Sequence, residues 1–323
     1  MEIVERGGGM NRRVWLATAA AAAGSACSRP RKAGWGRQEP VFVLRARDYG
    51  GELAGEICRA LTECRIGVRG RRVLVKPNLV EFSRATSINT HPLFVSAVVE
   101  ALERLGAAEV RIGEGPGHRR DTWTLAEEAG YFEAIPHFER RFVDLNRDDV
   151  SPAGELEGHG ALWLPQAALG ADLIVSLPKM KTHHWAGVTL SMKNFFGVVP
   201  GALYGWPKNV LHHYGIDRSI VKLAGLFAPR SIAIVDGIIG MEGNGPIQGR
   251  PRRAGVIVAG ANLVAVDATC CRLMGIDPAR VRSLAEARRL GPVEERWIEQ
   301  RGEPVEELRQ DFELLPMWRG LRA

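Results

Sequence analysis

The sequence has no cysteine spacing suited to a zinc or iron–sulfur site. Its five cysteines are Cys27, Cys58, Cys64 and the adjacent Cys270 and Cys271, and no two show the two-residue separation of such sites. No iron–sulfur cofactor is therefore expected. The four cysteines after Cys27 read as buried free thiols, with a Cys58–Cys64 disulfide as the alternative in an oxidising compartment. A dense basic run is also missing. The 43 Lys and Arg against 37 Asp and Glu leave a net charge of +6, but the arginines fall in scattered pairs such as Arg71-Arg72 and Arg252-Arg253. Without a one-faced cluster or a recognition motif, no nucleic-acid partner is expected. The surplus charge suits a small acidic ligand instead. Neither the dinucleotide fingerprint, nor an internal repeat, nor a low-complexity tract occurs. The apolar run after Arg13 is shorter than the about 20 residues a membrane helix needs.

That run belongs to a recognisable leader. From Met10 the chain reads MNRRVWLATAAAAAGSACSRP: a twin arginine, an alanine-rich stretch, then small residues and Cys27. The order predicts an export signal over residues 1–28, read by the twin-arginine machinery, and a periplasmic location. Gly24-Ser25-Ala26-Cys27 also reads as a lipoprotein box with an acylated Cys27, although an aliphatic residue three places before the cysteine is replaced by glycine. The membrane would then be met only through the signal or a lipid anchor. Met10 is a candidate start, and residues 29–39, basic and Gly-rich, read as a linker.

Residues 40–323 alternate apolar strand patterns with helical ones. Strands are expected at 41–45, 72–76, 109–113, 142–145, 161–164, 172–177, 231–236 and 255–259. Helices are expected at 51–64, 92–105, 121–129, 216–227, 261–274 and 278–290, with a further helical segment over 293–310. This alternation predicts a single α/β domain with a largely parallel central sheet, flanking helices and Rossmann-like layering. Four strands run into polar or Gly/Pro residues: Val75–Asn78, Ile112–Gly117, Leu177–Lys181 and Val235–Gly237. Ligands gather at the carboxyl ends of strands in open α/β sheets, so these ends are expected to share one cleft.

The stretch Ser176–Gly197 holds three lysines and two histidines and no acid. Extended from 179 to 183, it would aim Lys179, Lys181 and His183 to one side. Lys193 and Asn194 follow, and Lys76 ends another strand. Four ammonium groups brought together repel unless an anion sits among them, so Lys76, Lys179, Lys181 and Lys193 are expected to hold an anionic small molecule or cofactor. Asn78 would hydrogen-bond it beside Lys76. Gly115 and Gly117, after Glu114, allow close backbone approach at a strand-to-helix turn. Glu114 itself would oppose a phosphate unless it binds a metal or takes a proton. His183 and Lys181 are candidates for acid–base work, with Asp236 as base. A divalent metal could instead be held by His183, by His212 or His213, and by Glu114, Asp236 or, first among these, Glu242. Asn244 adds a polar contact from the Gly-rich loop after Asp236. His118 reads as a solvent residue. Asp267, among apolar neighbours, needs a partner, either a lysine of the cluster or a helix end. No serine or cysteine is evidently activated, so proton transfer or metal-assisted hydrolysis fits better than nucleophilic catalysis. A non-catalytic binding or carrier protein would use the same groups without turnover.

Together, KPNLV (76–80), GEGPG (113–117), PKMKTH (178–183), SMKNFFG (191–197), DGIIGMEGNGP (236–246) and AVDAT (265–269) resemble, in order, the domain-of-unknown-function 362 family over roughly residues 41–275. The resemblance implies an α/β domain with these motifs around a common site. Some members of that family carry ferredoxin-type cysteine clusters, which this chain lacks. Gly117-His118-Arg119-Arg120 and the lysines are also similar to lactate racemase-type proteins, in which lysine and histidine hold a nickel-pincer nucleotide.

Overall fold

A computed structural model describes residues 36–323. The expected export signal, Cys27 and most of the expected linker lie outside the described residues. The strands are β1 Glu39–Arg45, β2 Arg72–Pro77, β3 Glu109–Glu114, β4 Phe142–Asp144, β5 Val150–Leu156, β6 Gly160–Pro165 and β7 Leu173–Leu177. They continue as β8 Lys179–His183, β9 Gly187–Thr189, β10 Ser231–Glu242, β11 Arg250–Arg252, β12 Val256–Gly260 and β13 Ile298–Gly302. The main sheet runs β13-β1-β12-β10-β7-β2-β3-β4. The steps from β10 to β4 are parallel, as is β13 with β1, and β12 is antiparallel to both of its neighbours.

Alternation along the strands builds one core on each face. Phe42, Leu44, Val73, Val75, Ile232 and Ile234 pack under the helices Leu53–Glu63 and Pro92–Arg104. Val41, Val43, Leu74, Ala233 and Val235 point the other way, toward the helices Ile216–Phe227 and Leu263–Leu273. Side chains that alternate in a strand and are buried on both sides are what helices on both faces of a sheet require. The helix Pro92–Arg104 begins with proline at its first position and with the His91 ring accepting from the Leu93 N–H. Asn262 caps the helix Leu263–Leu273 by accepting from Val264 and Ala265. All four cysteines of the described residues are free thiols, Cys58 half-buried and the others buried.

Three segments depart from the sequence expectation. Residues 278–290 form no continuous helix but a 3₁₀ turn Pro278–Arg280, a short helix Arg282–Glu286 and a second 3₁₀ turn Ala287–Arg289. The buried residues Val281, Leu284 and Ala287 recur every three positions, which suits short, tightly wound turns as well as a helix. Residues 293–310 supply β13 at the sheet edge and only a short helix, Val305–Leu308. Gly302, at φ +74° and with no room for a Cβ against the Val43 carbonyl, breaks the helical period. β5, not foreseen in its Pro- and Gly-containing sequence, pairs with β6 in a separate hairpin.

What matters for a site is the geometry at the carboxyl edge. β2, β3, β7 and β10 end on the same side because they are parallel. After Pro178 the chain of β7 continues as β8, which lies beside the second half of β10, with Asp236 opposite Lys179 and Met241 opposite Lys181. The twelve-residue β10 thus serves both the main sheet and a small ribbon above its edge.

Candidate functional site

A cavity of about 540 Å³ opens above the carboxyl edge. Its floor is a closed polar network. Lys76 Nζ lies 2.6 Å from Glu114 Oε2 and also donates to the Pro77 carbonyl and Asn194 Oδ1. Glu114 accepts as well from the Leu79 and Gly115 N–H groups, and Asn194 donates to the Lys76 carbonyl and Ser176 Oγ. Burial pulls the Lys76 ammonium below its ordinary pKa, and Glu114 opposes that shift. Glu114 therefore neither repels a ligand nor waits for a metal; it neutralises Lys76.

Lys179 is likewise paired within the chain. Its Nζ lies 2.5 Å from Asp236 Oδ2, and Asp236 also accepts from the Tyr49 hydroxyl and the His91 N–H. Both charges are buried, and neither residue lines the cavity. Asp236 as a base and Lys179 as a ligand contact are thus corrected: the two serve each other. Two of the four lysines expected to need an external anion already have a carboxylate.

The other two face the cavity, joined by a third that the sequence reading missed. Lys181 Nζ donates to the Ile88 and Pro246 carbonyls, and burial with Lys193 nearby drives it well below its ordinary pKa. The Lys193 ammonium lies over the Phe196 ring at 4.5 Å and has no hydrogen bond or ion pair to any other described residue. Burial brings it down to about 8. Lys208, buried and at φ +67°, donates to the carbonyls of Gly115 and Phe196, and burial takes it to about 7. Only its left-handed backbone, costly for a residue with a Cβ, marks it out, and the sequence gives no sign of that. Gly115 needs its missing side chain, since a Cβ there would meet Asn146 and the Gly197 carbonyl; at Gly117, which lines the cavity, one would meet nothing.

The adjacent histidines of the cavity wall are opposites. His183 Nδ1 accepts from the Trp185 and Ala186 N–H groups, so its proton sits on Nε2. Burial first, then Lys193, hold this ring neutral. Such an imidazole donates and has no free lone pair, which argues against His183 as a base or metal ligand and leaves it a donor role. His184 Nδ1 lies 2.7 Å from the Gly245 carbonyl, an acceptor only, so Nδ1 carries the proton and Nε2 keeps its lone pair. His212 and the exposed His118 also line the cavity.

Glu242, expected as a metal ligand, accepts from Arg250 Nε at 3.0 Å and from the Glu313 N–H, away from the cavity. Its carboxylate is held by the charge beside it. Among the described residues no three His, Cys, Asp or Glu side chains converge as a metal site. Asn244 sits at the rim, bonded to Gln248. Two buried polar atoms of the lining, Asn78 Oδ1 and Thr189 Oγ1, have no hydrogen-bond partner. Among the described residues Asp267 meets no lysine. It accepts from the Ser191 N–H and hydroxyl and the Met192 N–H, capping the short helix Ser191–Asn194 that carries Lys193. Burial raises it to about 7 against those three donors.

Gly197 closes the floor. A Cβ there would collide with Glu114 Oε1 and Lys76 Nζ, the far ends of a pair that cannot move without losing its bonds. Gly197→Ala is expected to lower stability by about 1–3 kcal/mol, the usual cost of overpacking, read from denaturant unfolding. An unchanged midpoint would mean that the pair relaxes freely.

The family described as domain of unknown function (DUF362) matches residues 73–272. A thylakoid-associated protein of Synechocystis sp. is 31% identical over 264 residues, covering 78% of this chain and 79% of its own. Among solved structures, the lactate racemase apoprotein from Thermoanaerobacterium thermosaccharolyticum shares 14% identity with a TM-score of 0.47, over 74% of this chain and 57% of its own. A protein from Thermotoga maritima shares 13% with a TM-score of 0.35, over 76% and 60%.

Proposed function

The chain belongs to the DUF362 family, and from that premise and the site we propose that it binds a small organic anion in the cavity and moves a proton on it. The observation that carries this reading is Lys193: an ammonium without an acceptor among the described residues, in a cavity whose carboxylate, Glu114, is already committed to Lys76. Lys208 adds charge beside it where protonated, Lys181 adds N–H donors, and the neutral His183 offers its Nε2–H. Charge-assisted contacts of this kind suit a carboxylate or a phosphate. His184 Nε2, held in orientation by its Nδ1–H bond, would take the proton. Asn78 Oδ1 and Thr189 Oγ1 would find partners in the ligand's polar atoms.

Calorimetric titration with small carboxylates and phosphate monoesters tests the binding. Lys193→Ala is expected to weaken it tenfold or more. Incorporation of solvent deuterium into the bound ligand tests the chemistry, and His184→Ala is expected to abolish it. Binding with no exchange in the wild type would leave a carrier protein, the second use of the same groups.

We further propose export of the folded protein by the twin-arginine route, with Arg12 and Arg13 as its signal. Replacing both by lysine is expected to retain the chain in the cytoplasm, as read by fractionation; unchanged export would reject the assignment.

A further inference from the structure

Resting on the anion reading, the cavity also shows which kind of anion it fits. Its volume, about 540 Å³, falls in the range of sites for ligands much larger than acetate or phosphate. The mouth is aromatic and apolar. Trp185 is 56% exposed although it lines the cavity, an unusual exposure for so large an apolar side chain. Its ring meets His184 edge-on at 4.7 Å and His212 at 5.2 Å, and His212 in turn approaches Phe196 at 6.3 Å. Ile247 and Pro207 add to the apolar lining, with Leu79, Val80 and Pro246.

These side chains come from four separate segments, the turn after β8, the Phe196–Pro207 stretch, the helix Asn209–Tyr214 and the loop after β10. They gather apolar surface at the same opening that exposes Lys193. A bare inorganic anion would satisfy the lysine and leave the Trp185 face in water. We infer that the ligand is an amphipathic anion, with a carboxylate or phosphate at Lys193 and a flat aromatic body against Trp185. An aromatic ring gains both buried area and favourable ring–ring geometry there.

Three probes test the class by intrinsic tryptophan fluorescence and calorimetry: 2-naphthoate, acetate and the uncharged 2-naphthamide. The wild type is expected to bind naphthoate at least tenfold more tightly than either of the others. Trp185→Ala is expected to weaken naphthoate about tenfold and acetate less than twofold, and Trp185→Phe to keep most of the naphthoate affinity. Lys193→Met is expected to weaken both anions alike and leave naphthamide unchanged. Acetate bound as tightly as naphthoate, or a Trp185→Ala protein with an unchanged preference, would overturn the aromatic class and leave the anion reading standing. If neither anion bound to the wild type, the anion reading would fall and this inference with it.

Discussion

Asp236→Ala is expected to cost about 3–5 kcal/mol of unfolding free energy, the range for removing one partner of a buried ion pair. The reason is the state it leaves behind. Lys179 is 1% exposed, and its other neighbour is the Tyr49 hydroxyl at 3.0 Å, which at present donates to Asp236. Without the carboxylate, a buried ammonium, a buried hydroxyl and the His91 N–H lose their acceptor together. Denaturant unfolding of Asp236→Ala, Lys179→Met and the double variant forms a cycle. The double variant is expected to recover much of the loss, because two apolar groups leave no charge unpaired. A single variant as stable as the wild type, or a double variant showing the plain sum of the two losses, would contradict a tightly coupled pair.

Anion affinity is expected to fall tenfold or more between pH 6 and pH 9. Burial lowers Lys208 to about 7 and Lys193 to about 8 from an ordinary 10.5, and only the protonated amines attract an anion. Each charged hydrogen bond lost is worth about 1.5–3 kcal/mol. Lys208→Met is expected to remove the step near pH 7 and Lys193→Met the one near pH 8 in titrations across the range. The ligand-free protein carries the opposite slope. Between the lowered folded values and the unfolded value near 10.4, the unfolded chain binds more protons, so these two lysines make stability rise with pH. A bound anion holds the protons on the folded state and is expected to flatten that rise. Affinity independent of pH would remove both lysines from the anion's contacts.

The sheet and its site edge were legible because apolar alternation and polar strand ends survive in the sequence. Val75–Asn78 and Leu177–Lys181 do end side by side. What the sequence could not show was pairing. Glu114 and Asp236 lie far along the chain from Lys76 and Lys179, and only the parallel register brings each carboxylate to its lysine. The same limit hid the difference between His183 and His184, which rests on which ring nitrogen meets a backbone N–H and which a carbonyl. Lys208 lies in a segment with no regular period, and its burial comes from the turn at Gly115 closing over it. Where local period was the only guide, as at 293–310, β1 overrode it by offering a free edge for β13.

That edge governs the order in which the protein can assemble. β1 is held between β12 and β13, the two strands of the main sheet synthesised last. Its apolar run Val41–Leu44 leaves the ribosome early and stays without a partner until β12 has emerged, and its other edge stays open until β13 follows. The parallel neighbours β2, β3 and β7 are all synthesised before β12 and β13, so the β1 side of the sheet is the last to be completed. Such long-range pairing slows folding and leaves an aggregation-prone strand exposed during synthesis. Truncation before β12 would leave β1 with neither of its neighbours.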